Sequence, residues 1–170
     1  MKIKIILPVL ILLASGCADN TVGPEEYGEG DDYAIYKIVI NSVIPENNLL
    51  IVLNDSTGCQ RYDSSYVQYF LKQIPEMNAE TINNLVAVNI QKVKLKKIPG
   101  INSIFGSEFD VRRNKVFVTL SRVGYNNNVT QAVITIAAVY GPLAGTGTLV
   151  YLERIGNEWI IKRKILVWIS

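Results

Sequence analysis

The last third of the chain limits the fold more than any other stretch. From Val116 to Ser170, β-branched and aromatic residues recur in runs separated by short polar or glycine-rich turns, the pattern of consecutive strands. Lys115 to Arg122 alternates, with Phe117 and Thr119 on one face and Val116, Val118 and Leu120 on the other. Gly124 through Asn128 breaks the pattern with a polar turn, and asparagine tolerates left-handed backbone there. Gln131 to Tyr140 is apolar on both faces, as a central strand is. Gly141-Pro142-Leu143-Ala144-Gly145 turns the chain, Thr148 to Arg154 returns, and Ile155-Gly156-Asn157-Glu158 makes a tight hairpin. Trp159 to Ile169 is the closing strand, with Ile161, Arg163, Ile165, Val167 and Ile169 on one face. Short turns join antiparallel neighbours, so the sequence predicts a four-stranded meander that ends on Trp168-Ile169-Ser170.

The first half carries the other period. Asp32 is placed to cap a helix over Tyr33 to Ile44, with Ile35, Ile38, Val39, Ser42 and Val43 on one face, and Pro45 ends it. Leu49 to Leu53 is a wholly apolar run that reads as a buried strand. Asp63-Ser64-Ser65 caps a helix from Tyr66 to about Ile74, with Val67, Phe70, Leu71 and Ile74 inward. Asn78 caps a further helix over Ala79 to Asn89, with Ile82, Leu85 and Val86 inward. Lys92-Val93-Lys94-Leu95-Lys96 alternates like a solvated edge strand. Pro99 to Asp110 reads as a loop with one helical turn near Ile104-Phe105. The fold class expected is α+β, with N-terminal helices packed on one face of a mainly antiparallel sheet that ends in a C-terminal β-meander.

The N-terminus is of a different kind. Met1-Lys2-Ile3-Lys4 is a basic start, and Ile5 to Leu13 is an apolar run too short to span a bilayer. Leu13-Ala14-Ser15-Gly16-Cys17 comes next, with small residues where a leader is cut. These residues resemble the lipobox of bacterial lipoproteins, with Ala14 at the third position before the cysteine and Leu13 one place earlier. The resemblance implies a signal peptide over 1–16 and a fatty-acylated (palmitate-type) Cys17 that fixes the chain to a cell-envelope membrane. Two or three acyl chains hold a protein on a bilayer where one does not. In enteric members an aspartate directly after the cysteine retains the protein at the inner membrane. Ala18 stands there, so the expected location is the outer membrane or the cell surface. Asp19 to Asp32 is acidic and rich in glycine and proline, the composition of a tether, with a reach of roughly 45 Å at roughly 3.3 Å per residue. The domain expectations are therefore a leader over 1–16, a lipidated and acidic tether over 17–32, and one α+β domain over 33–170.

Charge and composition exclude several function classes. The formal net charge is +2. Without Lys2 and Lys4 the chain balances at 15 cations against 15 anions, which gives no footprint for nucleic acid. Histidine is absent, which removes the usual acid, base and metal ligand at neutral pH. No metal-ligand set and no cofactor motif is present. Gly141, Gly145 and Gly147 with Thr146 hint at a phosphate loop, but no Lys-Ser/Thr accompanies them and a strand, not a helix, comes next.

Asn54-Asp55-Ser56-Thr57-Gly58, after the first strand, is the best local candidate for chemistry. Asp55 could accept a proton and Ser56 or Thr57 could attack, although the string is also good turn chemistry. Cys59 is the one thiol besides Cys17 and lacks an imidazole to activate it. The turn after the central strand adds Tyr140 and Gly145, so the binding candidates are Asp55, Ser56, Tyr140 and Gly145. Tyr62, Tyr66 and Tyr69 cluster as core or interface packing, and Lys162-Arg163-Lys164 reads as a solvated strand face.

One more resemblance lies in the C-terminal third. Ser121-Arg122-Val123-Gly124-Tyr125-Asn126, Gln131-Ala132-Val133, Gly145-Thr146-Gly147, Leu152-Glu153-Arg154, Gly156-Asn157-Glu158-Trp159 and Trp168-Ile169-Ser170 are similar to the ending of a group of uncharacterised exported bacterial proteins. That resemblance carries no functional residue with it. The function expected is an exported, lipid-anchored envelope protein acting as a non-catalytic binding module or accessory subunit. Its expected partners are a membrane, through Cys17, and an envelope protein. The alternative is a small histidine-independent hydrolase or transferase using Asp55 with Ser56, or Cys59.

Overall fold

The computed structural model describes residues 31–44, 49–58, 62–106 and 115–170. The leader, Cys17, the acidic segment over 17–30 and Cys59 lie outside the described residues. In chain order the elements are α1 (Asp31–Val43), β1 (Leu50–Leu53), α2 (Ser64–Gln73), α3 (Ala79–Val88), β2 (Ser103–Phe105), β3 (Lys115–Leu120), β4 (Gly124–Tyr125), β5 (Gln131–Gly141), β6 (Ala144–Ile155) and β7 (Glu158–Ile169). The chain is α+β, with one sheet in the order β2-β1-β3-β5-β6-β7 and β4 paired to β5. From β3 to β7 the sheet is the antiparallel meander. β1 inserts beside β3 in parallel, Leu50 opposite Lys115 and Leu53 opposite Val118, and β2 adds parallel to β1.

Side chains alternate across this sheet, so its strands feed two cores. On one face Ile35, Tyr36, Val39 and Ile40 of α1 pack with Val118, Ile134, Ile136, Val150 and Trp159. On the other, Phe70 and Ile74 from α2 and its end, with Ile82 and Leu85 of α3, pack on Val133, Leu149 and Tyr151. β5 supplies both, Ile134 and Ile136 to the first and Val133 to the second, which accounts for its unbroken apolar run. The helices therefore divide between the two faces, and the expectation of helices on one face alone is corrected. Helix periodicity says which side of a helix is apolar, but not which side of a sheet receives it.

Other corrections have equally local reasons. Asp63 caps α2 as expected, its Oδ1 accepting from the amides of Ser65 and Tyr66 at 2.9 and 3.1 Å. Asn78 holds the N-cap position of α3 but makes no side-chain cap bond. Gln131 of β5 ties the start of this helix to the sheet: its Oε1 accepts from the amide of Asn78 at 2.8 Å and from Thr81 Oγ1 at 3.2 Å. Asp32 is no cap either; it lies inside α1. Lys92 to Lys96 is not a strand. It is tied to the end of β1 by Thr57 N to Val93 O and Leu95 N to Asp55 O, both 2.8 Å. Ile104-Phe105 belongs to β2 rather than to a helical turn.

The closing strand departs most from simple alternation. Its pairing with β6 shifts between Tyr151 and Leu152 and again between Gly147 and Thr148. Each shift leaves one extra residue in β7, Lys162 and then Val167, and an extra residue reverses the facing of the positions beyond it. Ile161 consequently packs with α1, while Ile165 and Val167 pack with α2 and α3. No helix among the described residues is long and apolar enough to cross a membrane.

Candidate functional site

Two concavities among the described residues flank β7 and arise from element lengths. α1 has 13 residues and so spans about 20 Å. β6 and β7 have 12 residues each, about 40 Å in extended form. α1 therefore covers part of its face and leaves the far end of β5, β6 and β7 open. The space there is a cleft of about 400 Å³ between Ser42 of α1, Tyr140 of β5, Thr146 and Thr148 of β6, and Lys164 and Leu166 of β7. Lys164 Nζ donates to Ser42 O at 3.0 Å. The last turn of α1 has no basic residue of its own, so this ammonium supplies the charge that the helix C-terminus favours.

A second groove, about 260 Å³, lies across the same strand on the opposite face, lined by Ser65, Tyr66, Tyr69 and Phe70 of α2 with Leu166 and Val167 of β7. Phe70 is buried and holds the floor, with the Tyr62 and Tyr69 rings edge-on at 5.7 and 5.6 Å. Tyr66 and Tyr69 are each 47% exposed, so these two rings are walls of an open groove rather than core. Tyr62 alone of the three is core, its hydroxyl pushed up to about 12 by burial. Leu166 lines both hollows. Between them runs the outer edge of β7, which no strand covers among the described residues.

The glycines of Gly145-Thr146-Gly147 have a use here. A Cβ on Gly147 would overlap Trp168 Nε1, and one on Gly145 would stand 3.3 Å from Trp168 Cζ3. The two bare positions form the seat of the Trp168 indole. Gly145 and Ser170 also exchange backbone hydrogen bonds at 3.2 and 3.0 Å. The phosphate-loop hint is thereby replaced by a packing role, and Gly145 supports the rim of β7.

Of the binding candidates, Tyr140 lines the cleft and Gly145 stands beside it. Asp55 and Ser56 do not join them. β1 runs parallel to β3 and β3 antiparallel to β5, with Leu50 opposite Lys115 and Phe117 opposite Val139. The C-terminal end of β1 therefore points away from Tyr140. There Ser56 N donates to Asn54 Oδ1 at 3.3 Å, Ser56 bridges to Lys94, and Thr57 Oγ1 accepts from Val93 N at 2.9 Å. These are the bonds of a turn holding the Lys92–Lys96 segment.

One polar cluster around the buried Asp32 has no signature in the sequence. Asp32 of α1 accepts from Tyr125 Oη of β4, and Asp31 pairs with Arg154 of β6 at 3.1 Å. The Arg154 guanidinium lies 5.6 Å from the centre of the Trp159 ring, which is tilted against Tyr125 at 5.8 Å. Burial pushes the Asp32 carboxyl up to about 6, against the Tyr125 hydrogen bond, and the Asp31 charge adds to the rise. Tyr125 rises too, through burial and then the Asp32 charge. The partners are far apart in the chain, and no local spacing could have announced them. Comparison with known proteins finds no matching family model, no matching curated protein and no matching solved structure.

Proposed function

We propose that the chain is a lipid-anchored protein of a bacterial cell envelope that works as a non-catalytic binding module or accessory subunit. The observation that supports it best is the margin of β7: an open cleft, an aromatic groove and a strand edge unpaired among the described residues, which meet at Leu166. Exposed apolar side chains grouped around a sheet edge are the usual mark of an interaction surface. The anchor rests on Leu13-Ala14-Ser15-Gly16-Cys17, and the acidic stretch after it would carry the folded part away from an anionic membrane.

In-cell crosslinking tests the reading. A photoreactive amino acid replaces Tyr69 in the full chain, and adducts are purified and identified beside the same chain with Cys17→Ser. Metabolic labelling with an alkyne fatty acid reads the anchor. The expected result is label on Cys17 and one recurrent protein adduct that is lost with Cys17→Ser. No label, or no adduct above the control, would overturn the proposal.

A further inference from the structure

We infer that the outer edge of β7 receives an extended peptide strand whose side chains alternate between acidic and apolar, the acidic ones toward Lys164 and the apolar ones toward Tyr66 and Tyr69. This rests on the binding-module reading and names the chemistry of the partner. A strand added to a sheet edge sends successive side chains to opposite faces. β7 has a hollow on each of its faces, and Leu166 belongs to both. The two hollows differ in chemistry. The one beneath α1 presents the Lys164 ammonium with the hydroxyls of Thr146 and Thr148. The one beside α2 presents the faces of Tyr66 and Tyr69 over Phe70. A guest residue opposite Lys164 points into the first, and its neighbours in sequence point into the second.

The charges of β7 select the acidic residue. Lys162 is matched by Glu153 at 3.6 Å and Arg163 by Glu76 at 3.0 Å. Lys164 holds only the Ser42 carbonyl and no carboxylate among the described residues. A carboxylate from a partner would complete it with a charge-assisted hydrogen bond. The shape of the edge sets the length. Between the two extra residues, Arg163 to Leu166 pairs regularly with β6, so the added strand is short and centred on Lys164 and Leu166. A second copy of this chain fits the edge poorly. It would bring Lys162, Arg163 and Lys164 to the seam again, with Glu158 the one carboxylate of its strand.

The test uses the detergent-solubilised full chain and two labelled heptapeptides, one alternating valine and glutamate and one alternating valine and lysine. Binding is followed by fluorescence anisotropy and located by amide hydrogen exchange. The valine–glutamate peptide is expected to bind, to be preferred at least tenfold over the other, and to slow exchange in β7. Lys164→Glu is expected to reverse that preference. Tyr66→Ala with Tyr69→Ala is expected to weaken binding at least fivefold while the far-ultraviolet circular dichroism is unchanged. Protection outside β7, no binding at millimolar peptide, or an unchanged preference in Lys164→Glu would overturn the proposal. Protection of β7 that grows with protein concentration alone would assign the edge to a second copy and also overturn it. An in-cell adduct at Tyr69 without any peptide response would keep the binding module and discard this chemistry. A peptide response at β7 without an in-cell adduct would keep β7 as a strand-accepting edge and discard the anchored envelope partner.

Discussion

Tyr125 Oη donates a hydrogen bond of 2.5 Å to Asp32 Oδ1 and so pins the first turn of α1 to the sheet. Asp32 is 7% exposed, and its carboxyl stands at about 6 in the folded chain against an ordinary 3.8. A carboxyl that holds its proton more tightly folded than unfolded takes up a proton on folding between those two values. Its contribution to stability is therefore full below about pH 4 and is lost as the pH rises through about 6. That rise corresponds to roughly 3 kcal/mol at most. Urea unfolding between pH 4 and pH 7.5 is expected to show stability falling across that window. Asp32→Asn, which keeps an acceptor for Tyr125, is expected to flatten the fall. An unchanged slope in Asp32→Asn would assign the pH dependence to another group.

The turn between β4 and β5 carries strain at one residue. Asn126 Oδ1 accepts from Thr130 N at 2.8 Å and Gln131 N at 2.9 Å, which closes the loop. That closure places Val129 in the left-handed region at φ 52°. A β-branched residue there costs about 1–2 kcal/mol. Val129→Asn is expected to raise stability by about 1 kcal/mol, since asparagine tolerates this conformation. Thermal unfolding of the variant checks it, and a lower melting temperature would count against the strain.

α3 lies directly on the backbone of β4. A Cβ on Gly124 would stand 2.6 Å from Leu85 Cα, and helix backbone cannot move aside as a flexible side chain can. Gly124→Ala is expected to destabilise by about 3 kcal/mol, the upper end of ordinary overpacking. Leu85→Ala would keep the N, Cα and Cβ atoms that the added methyl meets, so it cannot relieve this overlap and costs only core burial. Urea titration of Gly124→Ala checks the expectation, and an unchanged midpoint would mean that the helix already has room.

Short-range pattern controls the part of this fold that is legible in the sequence. The meander, α2 with its Asp63 cap, and the alternation of β3 all depend on residues within one element or its turn. The parts that are not legible are set by pairs distant in the chain: the parallel insertion of β1, the tie of Gln131 to the start of α3 and the Asp32–Tyr125 bond. The facing of β7 is hidden for a subtler reason. Lys162 and Val167 each shift the register by one residue, and a period of two has no memory across such a shift. The same limits apply to the site. Tyr140 is marked by its turn and does border the cleft. Tyr66 and Tyr69 read as packing because periodicity places them beside Phe70 but does not say how far they protrude. Asp55 and Ser56 carry reactive groups in the sequence and turn hydrogen bonds in the structure. Gly124 reads as a break in a strand pattern, and only the approach of α3 gives its reason.

Trp168 and the two glycines beneath it carry a further expectation. The indole lies over Gly147 and touches Gly145, and Trp168 is 36% exposed. A methyl group at Gly147 takes the volume that the ring occupies, and the ring can answer by swinging outward because β7 is an edge among the described residues. Gly147→Ala is therefore expected to move Trp168 into solvent rather than to unfold the sheet, with a stability loss of about 1–3 kcal/mol. Trp159 is the other tryptophan of the chain, so Trp159→Phe leaves Trp168 as the sole reporter. In that background Gly147→Ala is expected to shift the emission to the red and to increase quenching by iodide. A blue or unchanged emission with unchanged stability would show that Trp168 does not rest on these glycines.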